Sequence, residues 1–209
     1  MNTPTPSAAA PSHSPAPLAY LAPVAGKRII IGIAGGIATY KMATVVSRLA
    51  QAGAEVSVLM TESATRFVTP LTFQALSGRP VFVSPWEHLT SSDPQHITLA
   101  RNADLALIGP ATMDLCAKLA HGQTDDIVCL VLSAIDRAKT PVIIAPSMNE
   151  VMWQQPANTR NIAQLKADGF HVIDPASGWQ ACRTVGVGRL PEAEELLAMV
   201  VEVVGKRAR

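Results

Sequence analysis

Aromatic, charged and cysteine residues are all scarce in this sequence, and the shortages exclude several classes of protein. Charged side chains make up 16% of the 209 residues, with 17 Lys plus Arg against 16 Asp plus Glu. Because no basic stripe or polybasic cluster occurs, neither nucleic acid nor an anionic membrane surface is expected as a partner. The longest apolar runs are interrupted by Gly, Pro or a charge, well short of the ~20 residues that span a bilayer.

The three cysteines do not form a pattern that predicts a disulfide framework or a zinc site. They are odd in number and include no CxxC pair, so we predict no metal centre and expect a reducing cytoplasm as the compartment. Cys116 and Cys129 fall within helical apolar patterns and are expected to pack in the core. Cys182 lies in the polar, Gly-rich segment Gly178–Leu190, a connection of a length typical of lids and binding loops. Its thiol is either an accessible acid or nucleophile, or inert packing.

Apolar residues, in contrast, make up 48% of the chain, which is ample for the core of one domain. The exception is residues 1–26, a low-complexity stretch of Pro, Ala, Ser and Thr. No positively charged region precedes its short apolar patch Leu18–Val24, so a secretory signal is not expected. We predict a disordered tail over residues 1–26 and a folded domain over residues 27–209.

From Lys27 onward, strand-like and helix-like runs alternate. Buried all-apolar strands separated by helices form parallel sheets covered on both faces, so the sequence predicts a single doubly wound, Rossmann-like α/β domain. The predicted strands are Arg28–Ile33, Ala54–Met60, Val81–Val83, Leu105–Gly109, Val142–Ala145 and His171–Ile173. The predicted helices are Ile37–Gln51, a broken helix over Thr61–Ser77, Met113–His121, Ile127–Arg137 and Pro191–Val204.

The first strand is followed by a glycine-rich turn, Gly32–Lys41, with the sequence GIAGGIATYK. Its glycines allow close approach of the backbone to a ligand, and the N-terminus of the next helix favours a phosphate, with Thr39 as an added hydroxyl donor. Neither the GxGxxG spacing nor the P-loop GK[ST] is present, so a mononucleotide such as FMN fits better than NAD or ATP. The alternative is a tight turn that needs glycine only for packing.

Two further strands end at a proline next to polar residues. In the segment Ile108–Gly122, Thr112 can cap a helix and Asp114 suits its first turn. In the segment Val142–Trp153, the strand ends at Pro146 and is followed by Asn149. Ligands of open α/β sheets bind at the carboxyl ends of the strands, so Asn149 can hold a carboxylate or amide. Both segments are equally consistent with an ordinary strand that leads into a capped helix.

Of the histidines, His96 is the best placed to act as a base. It lies at a predicted helix start in the segment DPQHITLAR, and its ordinary pKa lies near neutrality.

Together these segments resemble the homo-oligomeric flavin-containing cysteine decarboxylases, in particular the phosphopantothenoylcysteine decarboxylases, over about residues 27–204. Ala145–Trp153 looks like the PxMNxxMW substrate motif of that family, and Gly35–Lys41 is similar to its flavin-phosphate turn. Thr61–Gly78 resembles its second flavin segment. Lys118–Asp126 is similar to its helix after the PASANT motif, and ACRTVGVGRLPE resembles its mobile substrate-recognition flap.

The resemblance implies a cofactor, a substrate and a set of site residues. It implies His96 as the catalytic base, Cys182 as the proton donor, and Asn149 as the residue that holds the substrate carboxylate. Met152 and Trp153 would shape the substrate pocket, together with Ala181. The substrate would be a small phosphorylated cysteine conjugate, and the expected assembly is a homo-oligomer, a trimer or a multiple of trimers. The residues implied to bind FMN are Gly35, Gly36, Ile37, Thr39, Thr61, Phe67, Pro110, Ala111, Thr112, Met113 and Asp114.

The implied reaction is the FMN-dependent decarboxylation of 4'-phosphopantothenoylcysteine to 4'-phosphopantetheine in coenzyme A biosynthesis. FMN would oxidise the cysteinyl carbon–sulfur centre to a thioaldehyde, which acts as the electron sink for loss of carbon dioxide. The resulting enethiolate would then be reduced by the flavin and protonated by Cys182. Because aromatic residues make up only 4% of the chain, Phe67 is one of few side chains that can face the flavin ring.

The sequence departs from that family's pattern at two places. Asp114 stands where the family has an asparagine, which predicts like-charge repulsion against a carboxylate substrate unless Asp114 is protonated. Arg183 and Thr184 follow Cys182, where the family usually has glycine and an acid. Two alternative functions are therefore kept: a peptidyl-cysteine decarboxylase of the same family, and a non-catalytic flavin-binding regulatory subunit.

Overall fold

Apolar segments form a six-stranded parallel sheet in the computed structural model, which describes residues 18–86 and 95–207. The strands are β1 (Arg28–Ile33), β2 (Glu55–Met60), β3 (Val81–Phe82), β4 (Leu105–Ala111), β5 (Val142–Pro146) and β6 (His171–Val172). Their order in the sheet is β3-β2-β1-β4-β5-β6, and every pair in it is parallel.

Eight α-helices accompany the strands in the described residues. They are α1 (Thr39–Gln51), α2 (Pro70–Ser77), α3 (Gln95–Asn102), α4 (Met113–Ala120), α5 (Ile127–Ser133), α6 (Glu150–Trp153), α7 (Pro156–Ala167) and α8 (Ala193–Arg207). In the described part of the chain, none of these helices has the length and apolar character needed to cross a membrane.

Helices cover both faces of the sheet, which confirms the predicted doubly wound α/β fold. Helices α1, α2 and α8 pack on one face, and α3, α4, α5 and α7 pack on the other. Alternate residues of β1 supply both cores: Ile29 and Ile31 face the first set of helices, and Ile30 faces the second. Successive side chains of a strand point to opposite faces, so a strand buried on both sides has to be apolar throughout.

The order of the sheet determines where a ligand can bind. From β1 the chain winds first toward β2 and β3, and then returns to continue on the other side through β4, β5 and β6. The carboxyl ends of β1 and β4 therefore flank the point at which the winding reverses, and open α/β sheets bind their ligands in the crevice there.

The structure corrects the predicted start of the domain. Leu18–Val24 forms a 3-10 helix that packs against α8, with Leu21 and Val24 fully buried in the first core. The patch LAYLAPV supplies enough apolar side chains to pack despite its proline-rich surroundings. The folded part thus begins before Lys27, whereas residues 1–17 of the predicted tail lie outside the described residues.

The structure also corrects the segment predicted as a long loop over Gly178–Leu190. Strands β7 (Ala176–Trp179) and β8 (Val185–Arg189) form an antiparallel hairpin there, separate from the main sheet. Alternating half-buried and exposed positions with several glycines gave no apolar run by which to recognise the strands.

Several predicted boundaries shift, and two helices were missed. The first helix begins at Thr39 instead of Ile37, β4 and β5 extend to Ala111 and Pro146, and α5 ends at Ser133. Helices α6 and α7 are not among the predicted helices, although a capped helix after Pro146 was one of the two interpretations of that segment. Helix α6 has only four residues, and the residues of α7 are mostly polar and exposed, so neither shows the periodicity by which helices are recognised.

The 3-10 helix yields a stability prediction. Leu21→Ala should lower the free energy of unfolding by about 2–5 kcal/mol, because it leaves a cavity in the first core. Urea denaturation followed by circular dichroism measures the change. Tyr20→Ala is the matched control, since Tyr20 is 43% exposed, and should cost much less. Equal unfolding of the two variants would show that the 3-10 helix does not contribute to the core.

Candidate functional site

Three chain segments meet at the carboxyl edge of the sheet where the winding reverses. The N–H of Ala34, directly after β1, donates to the carbonyl of Pro110 at 3.2 Å. On the other side of β4, the N–H of Ser147 donates to the carbonyl of Ala111 at 2.9 Å. The glycine turn, the end of β4 and the segment after β5 are therefore held side by side, as the sequence predicted.

The glycine turn makes close contact with the segment that follows β2. A Cβ atom at Gly35 would overlap the side chain and backbone of Ser63, so only glycine fits there. At Gly36 a Cβ atom would come no nearer than 3.7 Å to another group, the ring of Pro110, which leaves an open cradle. The next residue but one, Ala38, is the N-cap of α1 and offers no side-chain cap. The N–H groups of Thr39 and Lys41 donate to carbonyls of the turn at 3.0 Å, but the dipole of α1 still favours an anion at this end, which fits a flavin phosphate.

The hydroxyl of Thr39 forms its hydrogen bonds within the glycine turn. Its hydroxyl donates to the carbonyls of Gly36 and Ala34, at 2.7 and 3.2 Å, and the residue is fully buried. A hydroxyl carries a single proton, and here that proton points into the turn. Thr39 therefore holds the shape of the glycine turn in this structure, and its role as a donor to a ligand phosphate stays a prediction.

A cavity of about 590 Å³ lies between the start of α1 and the β7–β8 hairpin. Four predicted site residues line it: Ile37, Asn149, Ala181 and Cys182. The other lining residues are Ala38, Tyr40, Lys41, Ser147, Met148, Trp179, Gln180, Gly188, Arg189 and Leu190. The cavity thus connects the glycine turn with the segment after β5 and with the hairpin that carries the cysteine.

Asn149 is both a helix cap and a functional group that faces the cavity. Its Oδ1 accepts from the N–H of Val151 at 2.8 Å, which caps α6. Its Nδ2 lies 3.2 Å from Sγ of Cys182 and 3.3 Å from Oε1 of Gln180. The helix-cap interpretation is confirmed. It is compatible with the other interpretation, in which Asn149 holds a ligand, because the amide nitrogen is not used by the cap.

Cys182 is exposed in the turn of the hairpin, as predicted for an accessible thiol. The hydroxyl of Thr184 lies 3.0 Å from its Sγ. Hydrogen bonds from Thr184 and then from Asn149 favour the thiolate, and they lower the pKa of Cys182. Burial has the opposite effect on the other two thiols: it raises the pKa of Cys116 to about 12 and also raises that of Cys129.

The turn of the hairpin holds Cys182 in a defined place. The N–H of Gln180 donates to the carbonyl of Thr184 at 2.8 Å, and Arg183 adopts a left-handed backbone with φ 66°. A non-glycine residue in that region costs roughly 1–2 kcal/mol. The glycine that the family usually has at this position would avoid that cost.

Sequence reasoning missed Lys41, Trp179 and Gln180. Lys41 is buried under the cavity, where its Nζ donates to the carbonyl of Leu190 at 3.1 Å and to Glu192 at 2.8 Å. The hydrogen bond from Lys41 lowers the pKa of Glu192. Lys41 was within the quoted glycine turn, but only the fold brings it to the base of β8. No local signal identified Gln180 or Trp179.

A second cavity, of about 220 Å³, lies on the other side of the glycine turn and is acidic. Thr61, Thr112 and Asp114, all predicted to bind the cofactor, line it together with Asp125 and Asp126. Thr112 caps α4, as predicted, by accepting from the N–H of Leu115 at 3.2 Å.

Lys118 offsets the charge of Asp114. Its Nζ lies 3.6 Å from Asp114, 3.0 Å from Asp125 and 3.5 Å from Asp126. Desolvation lowers the pKa of Lys118, but the hydrogen bond to Asp125 and the nearby carboxylates outweigh it and raise the pKa overall. Asp114 thus has a cationic partner, which reduces the repulsion that the sequence predicted.

The predicted residues His96, Phe67, Met152 and Trp153 line neither of these two cavities. His96 lies half-buried near the start of α3, on the face of the sheet opposite α1. Phe67 and Met152 are exposed, and Trp153 packs against the second core while its carbonyl accepts from Asn158. The predicted role of Met152 and Trp153 in shaping a substrate pocket stays a prediction. The remaining predicted flavin residues, Pro110, Ala111 and Met113, form the end of β4 and the start of α4.

Comparisons with known proteins show to which family the chain belongs. The flavoprotein family model matches residues 19–205. The bifunctional coenzyme A biosynthesis protein CoaBC of Vibrio vulnificus is 46% identical over 176 residues, covering 84% of this chain and 43% of that protein. CoaBC of Bacillus subtilis is 45% identical over 173 residues, covering 83% and 42%. The chain thus spans less than half the length of the curated relatives it matches.

Solved structures of flavin-dependent decarboxylases are similar to this chain in fold. A cysteine-to-serine variant of a PPC decarboxylase, complexed with pantothenoylaminoethenethiol, has a TM-score of 0.75 and 25% identity, covering 85% of this chain and 98% of that one. The FMN-dependent cysteine decarboxylase SpaF has a TM-score of 0.74 and 28% identity, covering 87% and 99%. The fold and the site define a flavin-type α/β protein. The chain belongs to the flavoprotein family.

The contacts of Cys182 lead to a testable prediction. Thr184→Val removes the first hydrogen bond to the thiol, so the pKa of Cys182 should rise and alkylation by iodoacetamide at pH 7 should slow by about threefold or more. Mass spectrometry of the native protein measures the rate, because the other two cysteines are buried. Thr184→Ser keeps the hydroxyl and should react like the wild type. Identical rates for all three proteins would rule out this contact as the cause.

Proposed function

We propose that this chain catalyses the FMN-dependent decarboxylation of 4'-phosphopantothenoylcysteine to 4'-phosphopantetheine, a step of coenzyme A biosynthesis. The observation that carries the proposal is the pair formed by Asn149 and Cys182, 3.2 Å apart in a cavity that reaches the glycine turn. Relatives that are 45–46% identical are coenzyme A biosynthesis proteins. A cytoplasmic location stays a prediction.

FMN fits the residues around the glycine turn. Gly35 and Gly36 bring the backbone close to a ligand, and the uncapped N-terminus of α1 suits its phosphate. Ile37 lies on one side of the turn, and Thr61, Thr112 and Asp114 lie on the other. When bound, FMN supplies a reversible acceptor for two electrons.

Asn149 is proposed to orient the substrate carboxylate. Its amide nitrogen faces the cavity, and the N–H that contacts Cys182 can donate to a carboxylate oxygen in place of the sulfur. The cationic groups of the cavity, Lys41 and Arg189, both contact Glu192, at 2.8 and 2.7 Å. Two cations thus share one carboxylate, and the remaining positive charge on this side of the cavity favours an anionic ligand.

Cys182 is proposed as the acid that protonates the product carbon. Its lowered pKa makes the thiol a better proton donor than an ordinary cysteine, and the hairpin places it beside the amide that orients the substrate. Tyr40 and Trp179 flank the same cavity and can exclude water from the reacting carbon.

A homo-oligomer is part of the proposal. His96, the proposed base, does not line the cavity of Asn149 and Cys182, so a second copy of the chain would have to supply it. Exposed apolar side chains around the glycine turn are available for such an interface: Ile37, Tyr40, Phe67 and Leu71. A trimer, or a multiple of trimers, is the state that the resemblance implies.

The role of Cys182 predicts a partial reaction. Cys182→Ser should still release carbon dioxide from phosphopantothenoylcysteine, but it should accumulate the product that lacks two hydrogens, with the saturated product reduced by at least ~100-fold. His96→Asn should lose both activities. Mass spectrometry of the products and trapping of carbon dioxide measure the two steps. Saturated product formed by Cys182→Ser at the wild-type rate would contradict the assignment.

The same assay separates the alternatives. A peptide that ends in cysteine is the matched competitor, and we expect turnover of the phosphorylated conjugate only. Preference for the peptide would indicate the peptidyl-cysteine decarboxylase. Flavin binding by the wild type without turnover of either substrate would indicate the regulatory subunit.

The shared site predicts rescue when two inactive variants are mixed. Co-expression of His96→Asn and Cys182→Ser chains with different tags should restore about a quarter of wild-type saturated product, because random mixing pairs an intact His96 with an intact Cys182 at that frequency. Each variant alone is the control. No recovery in oligomers that carry both tags would place the two residues in the same chain's site.

A further inference from the structure

Gln180 is a buried polar residue in an otherwise open hairpin. Only 7% of Gln180 is exposed, whereas Trp179, the residue before it, is 63% exposed. Buried amides require partners for both ends of the side chain, because an unpaired one costs free energy. The partners of Gln180 are the residues to which the proposed chemistry is assigned.

The two ends of the Gln180 amide have different partners. Its Nε2 donates to the carbonyl of Val187 at 3.1 Å, across the hairpin. Its Oε1 accepts from Nδ2 of Asn149 and from the N–H of Glu150, both at 3.3 Å, and lies 3.5 Å from Sγ of Cys182. A single side chain thus contacts the hairpin strand, the N-terminus of α6 and the thiol.

These contacts determine which way the Asn149 amide points. Its Oδ1 is held by the N–H of Val151, and its two N–H donors face the acceptor Oε1 of Gln180 and the sulfur of Cys182. If the amide were flipped, two carbonyl oxygens would face each other and the N–H of Val151 would meet a donor. Gln180 therefore supplies the acceptor that makes the observed orientation the favourable one.

We propose that Gln180 is a positioning residue, whose side-chain oxygen accepts from one of the two N–H donors of Asn149 and thereby directs the other to Cys182, or to a substrate that replaces this contact. This inference rests on the proposed roles of Asn149 and Cys182, but it can be tested without turnover. Because Gln180 is neutral, it orders the site without placing a charge against the thiol. The charged side chains around it are those of Lys41, Glu150, Arg183 and Arg189.

The test compares Asn149→Leu in three backgrounds, with the alkylation rate of Cys182 in the native protein as a function of pH as the readout. In the wild-type background, Asn149→Leu should raise the apparent pKa of the thiol and slow alkylation at pH 7 by about threefold or more. In the Gln180→Met background, the amide has already lost its orientation, so Asn149→Leu should change the rate little. Gln180→Glu keeps the acceptor but adds a charge that by itself raises the pKa of the thiol. The effect of Asn149→Leu is therefore measured within that background, where it should return.

The cycle distinguishes positioning from simple destabilisation. Equal effects of Asn149→Leu in the wild-type and Gln180→Met backgrounds would overturn the proposal, as would failure of Gln180→Glu to restore the coupling. Circular dichroism verifies that each variant is folded. If Gln180→Met does not fold, a second measurement replaces the cycle. It compares the NMR chemical shifts of the Asn149 side-chain amide protons in Gln180→Glu and in the wild type. An unchanged shift would then count against the proposal.

A matched control uses the same chemical change far from the site. The control variant is Gln51→Glu. Gln51 is the last residue of α1, is exposed, and donates from its side-chain amide to the hydroxyl of Ser47. This variant should leave the alkylation profile unchanged. If the protein alkylates as expected but does not decarboxylate the phosphorylated conjugate, the proposed function fails while the role of Gln180 stands.

Discussion

The contact between Gly188 and Met148 is the constraint on which the geometry of the site depends. The N–H of Met148 donates to the carbonyl of Gly188 at 2.9 Å, and a side chain at Gly188 would overlap the carbonyl of Met148. The hairpin can therefore approach the end of β5 only through a residue without a Cβ atom. That approach brings Gln180 and Cys182 to Asn149, and it places the wall of the larger cavity opposite α1.

The scaffold could be predicted from the sequence because its signals are local. Strand β1 is apolar along its whole buried length. The turn after it has a glycine at position 35, where the close approach of Ser63 leaves no room for a Cβ atom. Pro146 and Asn149 likewise marked the end of β5 and the cap of α6. In each case one short segment contains both the residue types and the reason for them.

The parts that could not be predicted depend on contacts between distant segments. Lys41 and Glu192 are separated by 151 residues, and Gln180 and Asn149 by 31. The hairpin has too few buried apolar residues to be recognised as strands. It is held by the hydrogen bond from the N–H of Met148 to the carbonyl of Gly188 and by that from the N–H of Val187 to the carboxylate of Glu150. The burial of Leu21 and Val24 depends on α8, at the other end of the chain. The repulsion predicted at Asp114 is reduced by Lys118, which lies one helical turn away and contacts its carboxylate.

The exposed apolar walls of the larger cavity have a thermodynamic consequence. Ile37, Tyr40 and Trp179 are each at least 60% exposed, in a chain with few aromatic residues. Any ligand that covers them releases ordered water, and burial of apolar surface lowers the heat capacity of the complex. Association at this site should therefore become more exothermic as temperature rises, even though the groups that orient the ligand are polar.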